Sequence, residues 1–257
     1  LDQTVSAWYP DLPGGDTLTI RHLLAHRSGL REYSDDLFPL LRTMSAKNRE
    51  WDHRQLVRRI TRKGVTFVPG SEYEYTNSNY LLLGDIAEKV SGKPYAELLT
   101  ERITVPLGLE ETYLPPPAAE ALLTGYDFDL LPLGRHRIGD ENRAWSTYAF
   151  SAGGIVSTPG DLARFLSALF DGKSVSQFSL DAMTNYLPAG EPQLPKQVGY
   201  GLGFRAIDVE GEILLGHTGT IPGFGAFLFY WPAERVAVAA AGNRSTFDQL
   251  RLLTSIV

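Results

Sequence analysis

Cysteine is absent from all 257 residues, which excludes a disulfide framework, a thiolate metal site and a catalytic thiol. No apolar stretch approaches the ~20 residues of a bilayer-spanning helix. Basic charge is also in short supply. Lys and Arg number 24 against 30 Asp and Glu, giving a net charge of −6. That balance argues against a nucleic-acid partner, because phosphate contacts need clustered Lys and Arg. The densest basic cluster, Arg54, Arg58, Arg59, Arg62 and Lys63, is diluted by Glu50 and Asp52 and reads as a solvated helix face. Internal repeats and low-complexity tracts are missing too. The chain opens on Leu1, so the lack of a visible signal peptide carries no information about targeting.

What is present is an ordinary globular composition, 43% hydrophobic and 21% charged. The first part, 1–150, reads as a mainly helical lobe. Thr19 is a candidate N-cap for a short helix through Ile20, Leu23 and Leu24, with Gly29 placed to end it. Leu83, Ile86, Ala87 and Val90 recur at helical spacing before Gly92, and Pro94 suits the first turn of another helix. The segment from Leu114 to Arg143 reads as an extended excursion. The second part, 151–257, starts with Thr158-Pro159-Gly160-Asp161, a capping-box-like opening to a helix over Leu162–Phe170. Four strands are then expected: Val198 to Phe204, Ile213–Gly216, Ala226–Trp231 and Val236–Ala241. An amphipathic helix near Phe247–Ile256 closes an antiparallel meander, so the fold class is α+β.

Two short motifs point to chemistry. Tyr75-Thr76-Asn77 stands in the frame Pro69-Gly70-x4-Tyr75-x-Asn77-x2-Tyr80, and His217-Thr218-Gly219-Thr220 ends an apolar run. Together they resemble the second and third signature elements of the penicillin-recognising serine hydrolases: class C β-lactamases, D-alanyl-D-alanine carboxypeptidases and related esterases. The stretches Thr19–Leu30 and Ser151–Thr158 extend that resemblance along the chain. The first signature element, Ser-x-x-Lys, does not occur in these 257 residues. Leu1-Asp2 therefore aligns after that element, and the chain as given is expected to be catalytically incomplete on its own. The resemblance implies a β-lactamase/transpeptidase-like fold, an antiparallel sheet flanked by helices beside a largely helical lobe.

The resemblance also assigns roles. Tyr75 handles protons; a free phenol titrates near pH ~10, so it needs a neighbouring positive charge to act near neutrality. Asn77, expected on the same face of an extended segment, orients the lysine and the substrate amide. His217 lies on an edge strand where many relatives have lysine, and its charge is expected to fade above pH ~6.5. The backbone N–H of Thr220 is the candidate oxyanion donor. The hydroxyls of Thr218 and Thr220 are candidates for a substrate carboxylate, and Gly219 permits close approach of substrate backbone. Arg205 is a further candidate for a terminal carboxylate through its bidentate fork. Tyr73 and Tyr80 read as packing residues.

The implied reaction is acyl transfer through a serine acyl-enzyme, of the D-alanyl-D-alanine carboxypeptidase type, on a small peptide, lactam or ester, without a cofactor. A β-lactamase or esterase of the same family is the alternative. From another class, a non-catalytic relative could bind peptide or glycan in the same cleft. A periplasmic or secreted location is implied by the resemblance alone; oligomeric state is left open.

Two competing constellations are weaker. His22 and His26, at i and i+4, could place two imidazoles on a metal, but a third ligand is lacking and helix packing is the expected role. Ala149-Phe150-Ser151-Ala152-Gly153 comes close to a nucleophile elbow, yet Gly-Gly rather than a helix follows Ser151.

Overall fold

The computed structural model describes residues 1–36, 43, 50–115, 123–128, 135–138, 142–190 and 194–256. Its helices are α1 (Ile20–Leu24), α2 (His53–Lys63), α3 (Asn77–Ser91), α4 (Tyr95–Leu99), α5 (Val105–Leu107), α6 (Asn142–Ala149), α7 (Pro159–Phe170), α8 (Gln177–Thr184) and α9 (Gln249–Thr254). A two-stranded ribbon pairs β1 (Gly125–Phe128) with β2 (Arg135–Ile138). The main sheet contains β3 (Leu187–Pro188), β4 (Gln197–Tyr200), β5 (Arg205–Val209), β6 (Glu212–Ile221), β7 (Phe224–Trp231) and β8 (Val236–Gly242). These six pair antiparallel in chain order.

Caps set the helix starts as their sequences predict. Thr19 Oγ1 accepts from the His22 N–H and His22 Nδ1 accepts from the Thr19 N–H, a reciprocal capping box. Thr158 Oγ1 accepts from the Asp161 N–H at the start of α7. Helix α3 ends at Gly92, whose φ of 71° suits glycine. Other boundaries differ from expectation. Helix α1 stops at Leu24, five residues before Gly29, because His26 takes a left-handed φ of 52° and turns the chain inward. Pro94 caps α4 from outside instead of forming its first turn. Of the Leu114–Arg143 excursion, the described parts include the ribbon; the Pro116-Pro117 stretch lies outside the described residues.

The sheet differs more. The alternating run from Val198 to Phe204 is not one strand: β4 ends at Tyr200 and a turn through Gly203, at φ 95°, reverses the chain into β5. A Cβ on Gly201 would lie 2.1 Å from the Met183 carbonyl, so side-chain-bearing residues are excluded there without movement. Strand β5 escaped the sequence pattern because both its faces are covered, which erases the apolar–polar alternation.

Period-2 geometry distributes the sheet's side chains between two cores. Phe204, Ala206, Leu215 and Tyr230 pack with Leu166 and Leu169 of α7. Ile207, Leu214, Phe227 and Phe229 pack on the opposite side with Leu253 of α9. A third core, including Leu23, Leu56, Ile60, Leu81, Leu82 and Trp145, lies in the helical part. Gly216 marks the place where β6 needs bare backbone, since a Cβ there would fall 2.0 Å from the Leu228 carbonyl.

Core and cap should separate cleanly in denaturation. Phe229 is fully buried, so Phe229→Ala should cost about 3–5 kcal/mol, whereas Thr158→Ala should cost about 1 kcal/mol. Urea unfolding of the two variants checks this; comparable losses would contradict the assignment of Phe229 to a closed core.

Candidate active site

The segment carrying Tyr75 is tied to the helical part before the helix begins. The N–H of Glu74 donates to the His26 carbonyl, and the Thr76 N–H donates to His26 Nδ1 at 3.2 Å. Thr76 then caps α3, and Glu32 completes the cap. Its Oε2 accepts from the Asn77 N–H at 2.6 Å and from Thr76 Oγ1 at 3.2 Å. A carboxylate at a helix N-terminus is favoured by the unpaired N–H groups and by the helix dipole. Asn77 is therefore the first residue of a helix. The expected extended segment through Tyr75 and Asn77 is corrected in one respect: it ends at the extended N-cap Thr76, and Asn77 is helical. The Asn77 side-chain amide has no hydrogen bond among the described residues.

From the other half, β6 brings His217 toward Tyr75. Their ring centroids lie 5.9 Å apart, tilted by 34°. His26 lies closer to the phenol, 4.1 Å from it between centroids. Tyr200, at the end of β4, stands between the two histidines, with Oη 3.2 Å from His26 Nε2 and 3.1 Å from His217 Nε2. The remaining nitrogen of His217, Nδ1, is 2.6 Å from the Thr218 carbonyl.

Arg205 completes the group from β5. Its guanidinium carbon sits 4.6 Å from the Tyr75 ring centre, close enough for cation–π attraction. It is 4% exposed, and Nη1 donates to Gln197 Oε1 at 2.6 Å. Gln197 Nε2 in turn donates to Tyr73 Oη at 3.2 Å. Arg205 Nε is buried and makes no hydrogen bond, and no carboxylate pairs with the guanidinium among the described residues. Arg205 is thus an enclosed cation against Tyr75.

Strand β6 is internal to the sheet for only half its length. Strand β5 pairs with Glu212–Gly216, its last partner being Gly216 opposite Arg205. Beyond Gly216, His217–Ile221 pair with β7 alone among the described residues, so their other side is an open edge there. Thr218 is half-buried, and Gly219 and Thr220 are exposed. At its far end Gln249 Nε2 donates to the Gly219 carbonyl and to Thr220 Oγ1, at 2.7 and 2.9 Å. The Thr220 hydroxyl therefore already has a partner, which the sequence did not reveal.

Burial governs the titration of the group. It pushes the Tyr75 phenol up, and the nearby Arg205 charge opposes that rise without cancelling it. Burial holds His26 well below the ordinary histidine range, with the His217 and Arg205 charges adding to the effect. His217 is lowered to about 3, first by burial and then by Arg205. The expected His217 cation fading above pH ~6.5 is thus corrected: the ring is neutral throughout the physiological range.

The competing constellations dissolve. His22 spends Nδ1 on its capping box, and His26 lies past the end of α1, so the two do not share a helix face. His53 belongs elsewhere, stacked on Phe150 at 4.0 Å between centroids and close to Asp85 and Glu88. Ser151 sits in a 3-10 turn and donates to the Tyr80 carbonyl, packed against Gly84 of α3. The structure thus gathers Tyr75, His217 and Arg205, and sets Thr218–Thr220 on the adjoining edge. Sequence reasoning missed Tyr200, His26, Gln197 and Glu32. For His26, the one available signal was a histidine within the Thr19–Leu30 stretch that carries the resemblance.

With this geometry in view, the comparisons with known proteins give the class. The family model described as Beta-lactamase matches residues 1–255. Penicillin-binding protein 4* of Bacillus subtilis is 26% identical, over 95% of this chain and 55% of its own length. A D-aminopeptidase of Brucella anthropi is 28% identical, over 95% of this chain and 45% of its own. Among solved structures, the D-amino acid amidase from Ochrobactrum anthropi SV3, complexed with L-phenylalanine amide, superimposes with a TM-score of 0.81. It is 31% identical over 95% of this chain and 69% of that one. The fold is β-lactamase/transpeptidase-like, and the chain belongs to the Beta-lactamase family, a family of serine hydrolases. It spans about half the length of the curated relatives it matches.

Two histidines held neutral fix a pH dependence of stability. A histidine whose folded pKa lies below its unfolded value of about 6.5 binds fewer protons folded than unfolded. Stability should therefore rise with pH up to about 6.5 and level off above it. For His217, titrating at about 3, the loss at pH 5 should be about 2 kcal/mol. Urea titrations at pH 5 and 7.5 should show a smaller loss in His217→Gln than in the unmodified chain. Equal losses would mean that His217 is not held neutral.

Proposed function

We propose that the parent protein is a serine amidohydrolase that forms an acyl-enzyme from a small D-amino-acyl amide or D-alanyl peptide. Tyr75 handles protons, and the β6 edge holds the acyl chain. The observation that carries this reading is the enclosed Arg205 guanidinium over the Tyr75 ring, beside an open strand edge. A phenol can move a proton near neutrality only where charge favours its anion. Arg205 favours the phenolate; burial works against it. The nucleophile's lysine, supplied from outside these 257 residues, would add the second charge.

The edge suits an extended acyl group. Main-chain donors and acceptors of residues 217–221 not used by β7 can pair with substrate backbone, as in strand addition. Thr220 N–H is the oxyanion donor in this reading. Thr218 supplies a hydroxyl to a substrate carboxylate, and Gly219 leaves the backbone approach clear. The unengaged amide of Asn77 can both donate and accept, which suits a substrate amide. Arg205 acts on Tyr75, and the guanidinium N–H groups not given to Gln197 are the donors it would offer a carboxylate oxygen. The D-configuration is favoured by the D-aminopeptidase and D-amino acid amidase among the relatives. A carboxypeptidase of D-alanyl-D-alanine type would use the same arrangement with a free carboxylate on the leaving group.

A second reading is a non-catalytic relative that binds a D-peptide along the same edge, which the side of His217–Ile221 away from β7 would serve. Assay of the full-length protein separates the two. Hydrolysis of D-alanine p-nitroanilide in preference to the L form, with covalent labelling by a fluorescent penicillin, supports the enzyme. Tyr75→Phe should then lower kcat by about 10²–10⁴-fold with a smaller change in KM. Binding of the D-peptide without turnover or labelling would establish the binder and sink the enzyme.

A further inference from the structure

The hydrogen bonds around Tyr200 leave little freedom for their protons. At one end Ser28 Oγ accepts from the Leu30 N–H, so its own proton goes to Asn79 Oδ1, 2.5 Å away. That fixes Asn79 Nδ2 as the group facing His26 Nδ1, at 3.1 Å, and an amide nitrogen only donates. The Thr76 N–H, also only a donor, points at the same ring nitrogen. With two donors directed at it, His26 Nδ1 carries no proton. A neutral His26 therefore holds its proton on Nε2 and gives it to Tyr200 Oη.

At the other end a carbonyl sets the direction. Thr218 O only accepts, so His217 Nδ1, 2.6 Å from it, bears a proton. A neutral His217 then offers a lone pair at Nε2, and Tyr200 Oη, already accepting from His26, donates to it. The two ends agree. Every proton in the row His26 Nε2–H to Tyr200 Oη–H to His217 Nε2 is placed by backbone groups at its termini. Burial supports the neutral forms, since an imidazolium here would put a second cation beside the enclosed Arg205.

We infer that Tyr200 and His26 are positioning residues that hold His217 as a neutral Nδ1–H tautomer with both ring nitrogens engaged. His217 is then neither a general acid nor a general base. Its Nδ1–H anchors the Thr218 carbonyl. Because the carbonyl and N–H of one trans peptide point in opposite directions, that anchor also sets the direction of the Gly219 N–H. His26 and His217, which both lie near the Tyr75 ring, stay uncharged. Arg205 is left as the cation against the phenol. The catalytic meaning of this positioning rests on the acyl-transfer reading; the proton positions do not.

Nitrogen NMR of the ¹⁵N-labelled chain at pH 7 tests it without any substrate, so its outcome is independent of whether the parent hydrolyses anything. Long-range ¹H–¹⁵N correlations distinguish the two neutral tautomers and the imidazolium. Expected are one tautomer per ring, Nε2–H for His26 and Nδ1–H for His217. In Tyr200→Phe, with folding checked by circular dichroism, His217 should lose its single tautomer and populate Nε2–H. His26, still receiving Thr76 and Asn79 at Nδ1, should keep Nε2–H. An imidazolium or an Nε2–H tautomer at His217 in the unmodified chain overturns the inference, and so does an unchanged His217 in folded Tyr200→Phe. Should that variant fail to fold, the unmodified chain's spectrum decides alone.

Discussion

The site depends on one phenol shared by two histidines from different parts of the fold. His26 comes from the turn after a short helix, His217 from the sheet, and Tyr200 Oη lies within hydrogen-bonding distance of both. All three are sequestered enough that a lost partner would leave a buried polar group unsatisfied, which costs more than the bond itself contributes. The same turn that buries His26 also holds the Tyr75 segment, through the carbonyl of His26 and its Nδ1. Docking of the helical part against the sheet and placement of Tyr75 are therefore one event.

The charge balance follows from that docking. A buried guanidinium without a carboxylate is costly, yet among the described residues Arg205 has one neutral acceptor, Gln197, and two aromatic faces, Tyr75 and Tyr200. Aromatic faces offset part of the lost hydration. A carboxylate partner would satisfy the guanidinium better but would cancel its field at Tyr75. Local stability has thus been given up where the group bears on the phenol, a pattern expected of functional sites.

The legible and illegible parts of the sequence divide along the same line. Caps and amphipathic helices were legible because their signals are local: Thr19, Thr158 and Gly92 act on neighbours within a few residues. The meander was legible where strands alternate or run apolar between turns. Strand β5 was not, since burial on both faces removes the alternation, and the β4–β5 turn hid inside an apparently continuous alternating run. Helix α1 ended early because a histidine, not glycine, adopts the left-handed conformation, and only tertiary contacts make that tolerable. Tyr75 and His217 were legible through their motifs. Tyr200 was not: it is one of 12 tyrosines, and its partners lie 174 and 17 residues away.

Arg205 shows how a residue picked out in the sequence is understood only in space. Its bidentate fork suggested a carboxylate contact. The register of β5 against β6 decides the matter. Arg205 pairs with Gly216, the last residue of β6 before the sheet opens, so its side chain emerges where the edge begins. Gly216 cannot carry a side chain there because the Leu228 carbonyl occupies the space. A one-residue slip of that register would move Arg205 to the other face of the sheet and leave the Tyr75 ring without its cation. The bare backbone at Gly216 and the Arg205 charge against Tyr75 are thus consequences of the same strand pairing, and the electrostatics of the site are fixed by the fold of the sheet before any ligand arrives.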